Sequence, residues 1–82
     1  MGQYDIDLKY RIVIKGLKKL GLKPLKGSKH DKFEIPKTGK VTTVPRHAVL
    51  NKYTAGSIIE FLVENGYLLY EIEKAFKIKF GK

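Results

Sequence analysis

The clearest structural signal in this chain is a stretch of alternating apolar and polar residues that leads into a turn. Residues 30–35 alternate as a strand does when one of its faces is buried. Residues 36–39, Pro-Lys-Thr-Gly, have the composition of a tight turn. Residues 40–44 then form a returning strand, which Pro45 ends. The sequence therefore predicts an antiparallel hairpin in the middle of the chain.

The alternation also divides the side chains of the first hairpin strand between two faces. Phe33 and Ile35 share the face that we expect to be buried, and Asp31 lies on that same side. His30, Lys32 and Glu34 share the opposite face. The imidazole of His30 is therefore predicted on the solvated side of the sheet, with Asp31 facing away from it.

A first helix is predicted before the hairpin, over residues 8–20. Asp7 is its candidate N-cap, and Gly21 follows its end. Residues 11–14 weaken this prediction, because two isoleucines and a valine suit a strand at least as well as a helix. The apolar positions that share one helical face are Leu8, Ile12, Gly16, Leu17 and Leu20.

A short strand and a second helix are predicted on either side of the hairpin. Residues 22–26 indicate an edge strand, because Pro24 lacks the N–H group that a central strand needs. Thr54 has the character of an N-cap for the second helix. Tyr53 and Ile58 have the spacing of a hydrophobic staple across that helix start.

A third, C-terminal helix follows Gly66, which is expected to end the second one. Its amphipathic positions are Leu69, Ile72, Ala75 and Phe76. The predicted fold class is α+β, in the order α-β-β-β-α with a three-stranded antiparallel sheet and helices on one face. The whole chain, residues 1–82, is expected to form one domain, with a core over about residues 8–66 and a helical extension over about 68–78.

Positive charge is concentrated in one half of the chain. The formal net charge is +9, and the segment from Leu8 to Leu50 holds 12 basic residues against only Asp31 and Glu34. Such a surface favours a polyanionic partner. The alternative is that these lysines only solvate a small domain.

The residue types that the chain lacks limit the reactions that it could catalyse. The chain has no cysteine, so it offers no thiolate nucleophile and no thiolate zinc ligand, and two histidines make a poor metal site. We expect no metal and no other cofactor. No apolar stretch approaches the ~20 residues that span a bilayer, and the N-terminus does not resemble a secretory signal. We therefore expect a cytoplasmic protein without a membrane partner.

Four short motifs occur in order along the chain. They are Lys-Lys-Leu-Gly at residues 18–21, Gly-Ser-Lys-His-Asp-Lys-Phe at 27–33, Val-Pro-Arg-His at 44–47, and Thr54 with Ile58 and Ile59. In this order they resemble the HicA family of toxins. Many members have the histidine directly after the small residues, whereas here Lys29 intervenes.

This resemblance implies a fold similar to the double-stranded-RNA-binding domain. It also implies endoribonuclease activity on mRNA without a metal, and a HicB-type antitoxin as protein partner. In the family the histidine that follows the glycine turn is catalytic, and the residue at the matching position here is His30.

Two interpretations of each histidine follow from the residues themselves. His30 would act as general base toward a ribose 2′-OH and then as general acid toward the leaving 5′-oxygen, or it is a solvated strand histidine without a chemical role. His47 is an accessory candidate for the same acid–base chemistry. We favour a structural or partner-contacting role for it, because it comes just after a strand that proline ends.

The neighbours of His30 are candidates for substrate binding. Lys29, Lys32 and Arg46 would stabilise charge on the phosphate oxygens, or would only keep the protein in solution. Gly27 and Ser28 would let the backbone approach a phosphate, or would only turn the chain before the strand, which is the interpretation we favour.

The sequence thus predicts a ribonuclease toxin that binds mRNA through a Lys-rich face and cleaves it with His30. One alternative is a non-catalytic module that binds double-stranded RNA by its shape and its 2′-OH groups. Another is a DNA-binding domain that places a helix in a groove, for which charge is the only support.

Overall fold

The computed structural model describes residues 4, 6–27 and 29–79. The described strands form two antiparallel sheets, one of three strands and one of two. The predicted class is confirmed, since the chain forms a small α+β domain with a three-stranded antiparallel sheet and three helices. The elements are β1 (Leu8–Lys9), α1 (Tyr10–Lys19), β2 (Lys23–Leu25), β3 (His30–Glu34), β4 (Val41–Pro45), β5 (Val49–Leu50), α2 (Lys52–Glu64) and α3 (Leu69–Phe76).

The central hairpin forms as predicted. Strands β3 and β4 pair with Phe33 opposite Thr42 and His30 opposite Pro45. Among the described strands, β2 pairs with β3 alone, so Pro24 lies in an edge strand, where its missing N–H is tolerated. The alternation of faces is also confirmed, because Phe33 is buried while His30 is exposed.

One hydrophobic core joins the sheet to all three helices. Phe33 and Val44 from the sheet are buried together with side chains from each helix, such as Leu17, Ile59 and Phe76. The opposite face of the sheet keeps His30, Lys32 and Thr43 exposed. Helix α3 therefore contributes to the same core as α1 and α2.

The predicted start of the first helix is wrong. Leu8 and Lys9 pair with β5 instead of opening the helix, and the backbone N–H of Tyr10 donates to the carbonyl of Ala48 at 3.0 Å. Lys9 occupies the N-cap position without a side-chain hydrogen bond, so Asp7 is not the cap. Pairing with a strand some 40 residues away takes up the backbone groups that a longer helix would have used.

The side of α1 that is buried also differs in part from the prediction. Val13, Gly16 and Leu17 are its buried residues, whereas Ile12 and Leu20 are only half-buried. Residues 11–14 are nevertheless helical, so the packing of α1 against the core prevails over their strand propensity.

The predicted cap of the second helix is also wrong. Asn51 is the N-cap of α2, and its side-chain oxygen accepts from the backbone N–H groups of Tyr53 and Thr54, each at 3.0 Å. Thr54 therefore lies inside the first turn. The staple is absent as well, because Tyr53 is 67% exposed while Ile58 is 2% exposed. Asn51 follows β5 directly, so the chain enters the helix three residues earlier than predicted.

The predicted helix ends are confirmed. Gly21 and Gly66 follow α1 and α2 with φ angles of 92° and 96°, the left-handed conformation in which glycine ends helices. Helix α3 then begins at Leu69, where the N–H of Leu68 donates to the Glu71 carboxylate at 3.0 Å.

Candidate functional site

The exposed face of the three-stranded sheet carries the candidate catalytic histidine. His30 is the first residue of β3 and lies opposite Pro45 of β4. Lys32 follows on the same face, between Leu25 of β2 and Thr43 of β4. We call the surface formed by these five residues the outer sheet face. The backbone positions of His30 and Lys32 are about 7 Å apart along the strand, since strand residues rise ~3.3 Å each.

The remaining candidate residues gather at the end of the sheet where β3 begins and β4 ends. Lys29 is exposed directly before His30, and His47 is exposed two residues after Pro45. Gly27 and Arg46 are in direct contact there, because Nη2 of Arg46 donates to the Gly27 carbonyl at 3.3 Å. Ser28 lies outside the described residues.

Asp31 lies on the other side of β3 and joins this end of the sheet to helix α1. Its carboxylate accepts a hydrogen bond from the hydroxyl of Tyr10, the first residue of α1, and one from Nη2 of Arg46 at 3.3 Å. Neither of these hydrogen bonds involves the imidazole of His30. Asp31 positions the strand from which the imidazole projects.

The contacts of Asp31 shift two pKa values in opposite directions. The Tyr10 hydroxyl, and after it the Arg46 guanidinium, lower the pKa of Asp31 against the opposing effect of desolvation. The same hydrogen bond to a carboxylate raises the pKa of the Tyr10 hydroxyl. Hydrogen bonds to the ionised carboxylate favour that form, so Asp31 is a fixed negative charge at neutral pH.

Arg46 is more constrained than the sequence suggests. Its side chain is 48% exposed, against 28% for its partner Asp31. Of its nitrogens, only Nη2 makes hydrogen bonds to residues that the structure describes. Its guanidinium therefore has a structural role, and part of its charge is offset by Asp31.

Gly27 has a steric role at this site. A Cβ atom on residue 27 would lie 2.3 Å from the carbonyl oxygen of His30, which is too close for any side chain. The loop before β3 therefore folds back onto the backbone of His30. This contact explains why the turn requires glycine at residue 27, and the explanation needs no contact with a phosphate.

Neither a metal site nor a membrane helix is present among the described residues. Within ranges 6–27 and 29–79, no three His, Cys, Asp or Glu side chains come together in a group that could hold a metal ion. None of the described helices has the length and apolar character needed to cross a bilayer.

Tyr10 was not predicted from the sequence as part of this site. Its position at the start of α1 depends on the pairing of β1 with β5, and no local pattern links it to Asp31, 21 residues further on. The available signal was that Asp31 is one of only two acidic residues in a strongly basic segment, because a carboxylate needs a partner when it is partly desolvated.

Comparison with known proteins gives no match for this chain, whether with family models, with curated proteins or with solved structures. The HicA resemblance therefore stays a prediction.

Proposed function

We propose that this chain is a metal-independent endoribonuclease of the HicA type, with a fold similar to the double-stranded-RNA-binding domain. It would act as the toxin of a toxin–antitoxin pair and cleave mRNA. The predicted order α-β-β-β-α is compatible with the observed elements once β1 and β5 are treated as a small additional ladder.

The observation that carries this proposal is the exposure of His30 on a rigid strand beside cationic side chains. His30, Lys29 and Lys32 are all exposed, and both lysines are within two residues of the imidazole. A phosphodiester that approaches the outer sheet face would meet positive charge and a proton-transfer group together. This combination is what RNA cleavage through the 2′-OH requires.

The backbone of His30 is held in place from two sides, which supports a catalytic role. On one side Gly27 packs against the His30 carbonyl. On the other, Asp31 is tied to Tyr10 of α1 and to Arg46. A catalytic group that is fixed by its surroundings loses less entropy when the substrate reacts.

The proposed reaction is a transesterification at phosphorus. His30 takes the proton of the 2′-OH, the 2′-oxygen forms a bond to phosphorus, and the bond from phosphorus to the 5′-oxygen breaks. His30 then returns the proton to that 5′-oxygen. The products are a 2′,3′-cyclic phosphate and a free 5′-hydroxyl. Lys32 and Lys29 would stabilise the negative charge on the phosphoryl oxygens.

A HicB-type antitoxin would silence this site by covering it. Because the outer sheet face is basic and open, the antitoxin surface that meets it should be acidic and should contact His30. A DNA substrate has no 2′-OH and should not be cleaved.

The structure also offers one observation in favour of a non-catalytic RNA-binding module. The imidazole of His30 makes no hydrogen bond with the described residues, whereas a general base is often oriented by a second group. A binding module would retain RNA on the same face without turnover.

The deciding experiment measures cleavage of a mixed-sequence RNA and a matched DNA in EDTA. The wild-type chain should degrade RNA and leave DNA intact. His30→Ala should lower the rate by ~10²–10⁴-fold, as expected for loss of a general acid–base group. His47→Ala is the matched control and should cleave at close to the wild-type rate.

Chemical rescue separates a catalytic His30 from a structural one. Free imidazole should restore part of the activity to His30→Gly, while the RNA affinity of both variants should equal that of the wild type. Intact RNA that is bound by the wild type but never cleaved would favour the binding module. Cleavage that occurs only with added magnesium would overturn the metal-independent mechanism.

A further inference from the structure

A second concentration of positive charge lies in a groove between α1 and the C-terminal end of α3. The groove has a volume of about 570 Å³. Its apolar side chains are Phe76, which is buried, and Ile12 and Ala75, which are half-buried. Five exposed cationic side chains also line it, and we call the whole feature the α1–α3 groove. These are Lys9, Arg11, Lys15, Lys19 and Lys77.

The cations of α1 form a continuous row along one wall of the groove. Arg11, Lys15 and Lys19 are spaced four residues apart and therefore share one face of the helix. The row is about 12 Å long, since a helix rises ~1.5 Å per residue. Lys77 adds a cation from the end of α3. Positive charge therefore lines the groove from both helices.

No acidic side chain balances this charge within the groove. The side chains that line it include no aspartate and no glutamate. The acidic residues of α3 do not line the groove but lie beside it, since Glu71 shares a neighbouring depression with Lys19 and Glu73 shares another with Lys77. The lining of the groove itself therefore carries five cations and no acidic side chain.

Arg11 and Lys77 are placed where they do not favour the stability of the fold, whereas Lys19 lies in the last turn of α1, where the helix dipole favours a cation. Like charges four residues apart repel each other on a helix, and Arg11 lies in the first turn of α1, where the helix dipole favours anions. Lys77 has a φ of 57°, a left-handed conformation in which glycine is preferred. A binding role for these cations explains why they are placed there.

We propose that the α1–α3 groove binds the sugar-phosphate backbone of a single strand of RNA, separately from the outer sheet face. Its volume falls within the range of ~300–1,000 Å³ typical of small ligand pockets, a size that suits a short stretch of one strand better than a duplex. The row of cations would meet successive phosphates, and the apolar side chains would contact sugars or bases. This inference rests on the proposed function only in naming RNA as the ligand.

Charge reversal distinguishes RNA binding in the groove from a general effect of the net charge of the protein. In a His30→Ala background, which prevents cleavage, Lys15→Glu with Lys19→Glu should weaken binding of a short single-stranded RNA about tenfold. It should also reduce the slope of log affinity against log salt by ~1.4, for two lost phosphate contacts. Lys37→Glu with Lys40→Glu is the matched control, because it changes the net charge equally on the hairpin turn and should weaken binding less. Equal losses for both pairs would overturn the proposal.

Lys77→Gly provides a test in which the melting temperature and the RNA affinity should change in opposite directions. Glycine relieves the left-handed conformation, so the melting temperature should rise. The same change removes one groove cation, so RNA affinity should fall and the salt slope should decrease by ~0.7. A rise in melting temperature with unchanged affinity would overturn the role of Lys77.

Two further outcomes separate this proposal from the ribonuclease proposal. If binding depends on the groove cations but the wild-type chain never cleaves RNA, the groove stands and the ribonuclease fails. If the wild type cleaves RNA and the groove variants bind it with wild-type affinity, the groove fails and the ribonuclease stands. Duplex RNA that competes as well as a single strand would overturn the single-strand assignment.

Discussion

Phe76 of α3 occupies the space that a side chain at residue 16 of α1 would need. A Cβ atom on Gly16 would lie 1.9 Å from Cδ1 of Phe76, well inside van der Waals contact. Glycine in a helix interior is less favourable than alanine by roughly 1 kcal/mol. The close approach of the two helices therefore accounts for a residue that helix propensity alone disfavours.

Gly16→Ala should lower the free energy of unfolding by ~1–3 kcal/mol, the usual cost of overpacking a core. Helix propensity predicts the opposite sign, so urea denaturation distinguishes the two effects. Ser57→Ala, at an exposed position of α2, is the matched control and should be neutral or slightly stabilising. Adding Phe76→Leu to Gly16→Ala should cost less than the sum of the single changes. A Gly16→Ala chain as stable as the wild type would contradict the observed contact.

The hydrogen bond from Tyr10 to Asp31 should make stability depend on pH at both extremes. Because folding lowers the pKa of Asp31 from its ordinary value of 3.8, its contribution is full above that pH and is lost as the pH falls below it. Because folding raises the pKa of Tyr10 from its ordinary value of 10.0, its contribution is full below that pH and is lost as the pH rises above it.

Asp31→Asn should therefore flatten the pH profile of the unfolding free energy at the acid and the alkaline end together. Urea titrations from acid to alkaline pH measure this directly. Glu60→Gln, an exposed change on α2, removes the same charge and is the control. An alkaline limb that persists unchanged in Asp31→Asn would show that the carboxylate is not what holds the Tyr10 proton.

Gly27→Ala should displace the backbone of His30, because the added Cβ would meet the His30 carbonyl oxygen at 2.3 Å. We expect a lower melting temperature and a loss of RNA cleavage larger than the loss of RNA binding. Lys26→Ala, at the exposed neighbouring position, should stay within ±0.5 kcal/mol of the wild type, as surface changes usually do. The chemical shifts of the His30 ring protons report the displacement, and identical shifts in Gly27→Ala and wild type would refute it.

Asn51→Ala should cost about 1 kcal/mol of stability, because it removes the side chain that caps α2. Thr54→Ala should cost less, since Thr54 lies within the helix and its backbone N–H, not its side chain, takes part in the cap. Denaturation of the two variants side by side tests which residue is the cap. A larger loss for Thr54→Ala would restore the cap that the sequence predicts.

The candidate site was predictable to the extent that it depends on strand alternation. His30 and Lys32 are exposed because residues two apart on a strand share a face, and this follows from contiguous residues. The pairing of Arg46 with Asp31 was not predictable, because it depends on the register between β3 and β4 and on where α1 begins. The α1–α3 groove could not be predicted from the sequence either, since its cations come from opposite ends of the chain.

Periodicity, turn composition and terminal glycines are local properties, and they were enough to specify the hairpin, the edge strand at Pro24 and the ends of α1 and α2. The positions at which those two helices begin do not depend on local sequence alone. Because β1 pairs with β5, Leu8 and Lys9 lie in a strand and α1 begins only after them. The same pairing places Asn51, directly after β5, at the start of α2. Backbone groups near a helix start can satisfy their hydrogen bonds in more than one way, and only contacts between distant segments select among them.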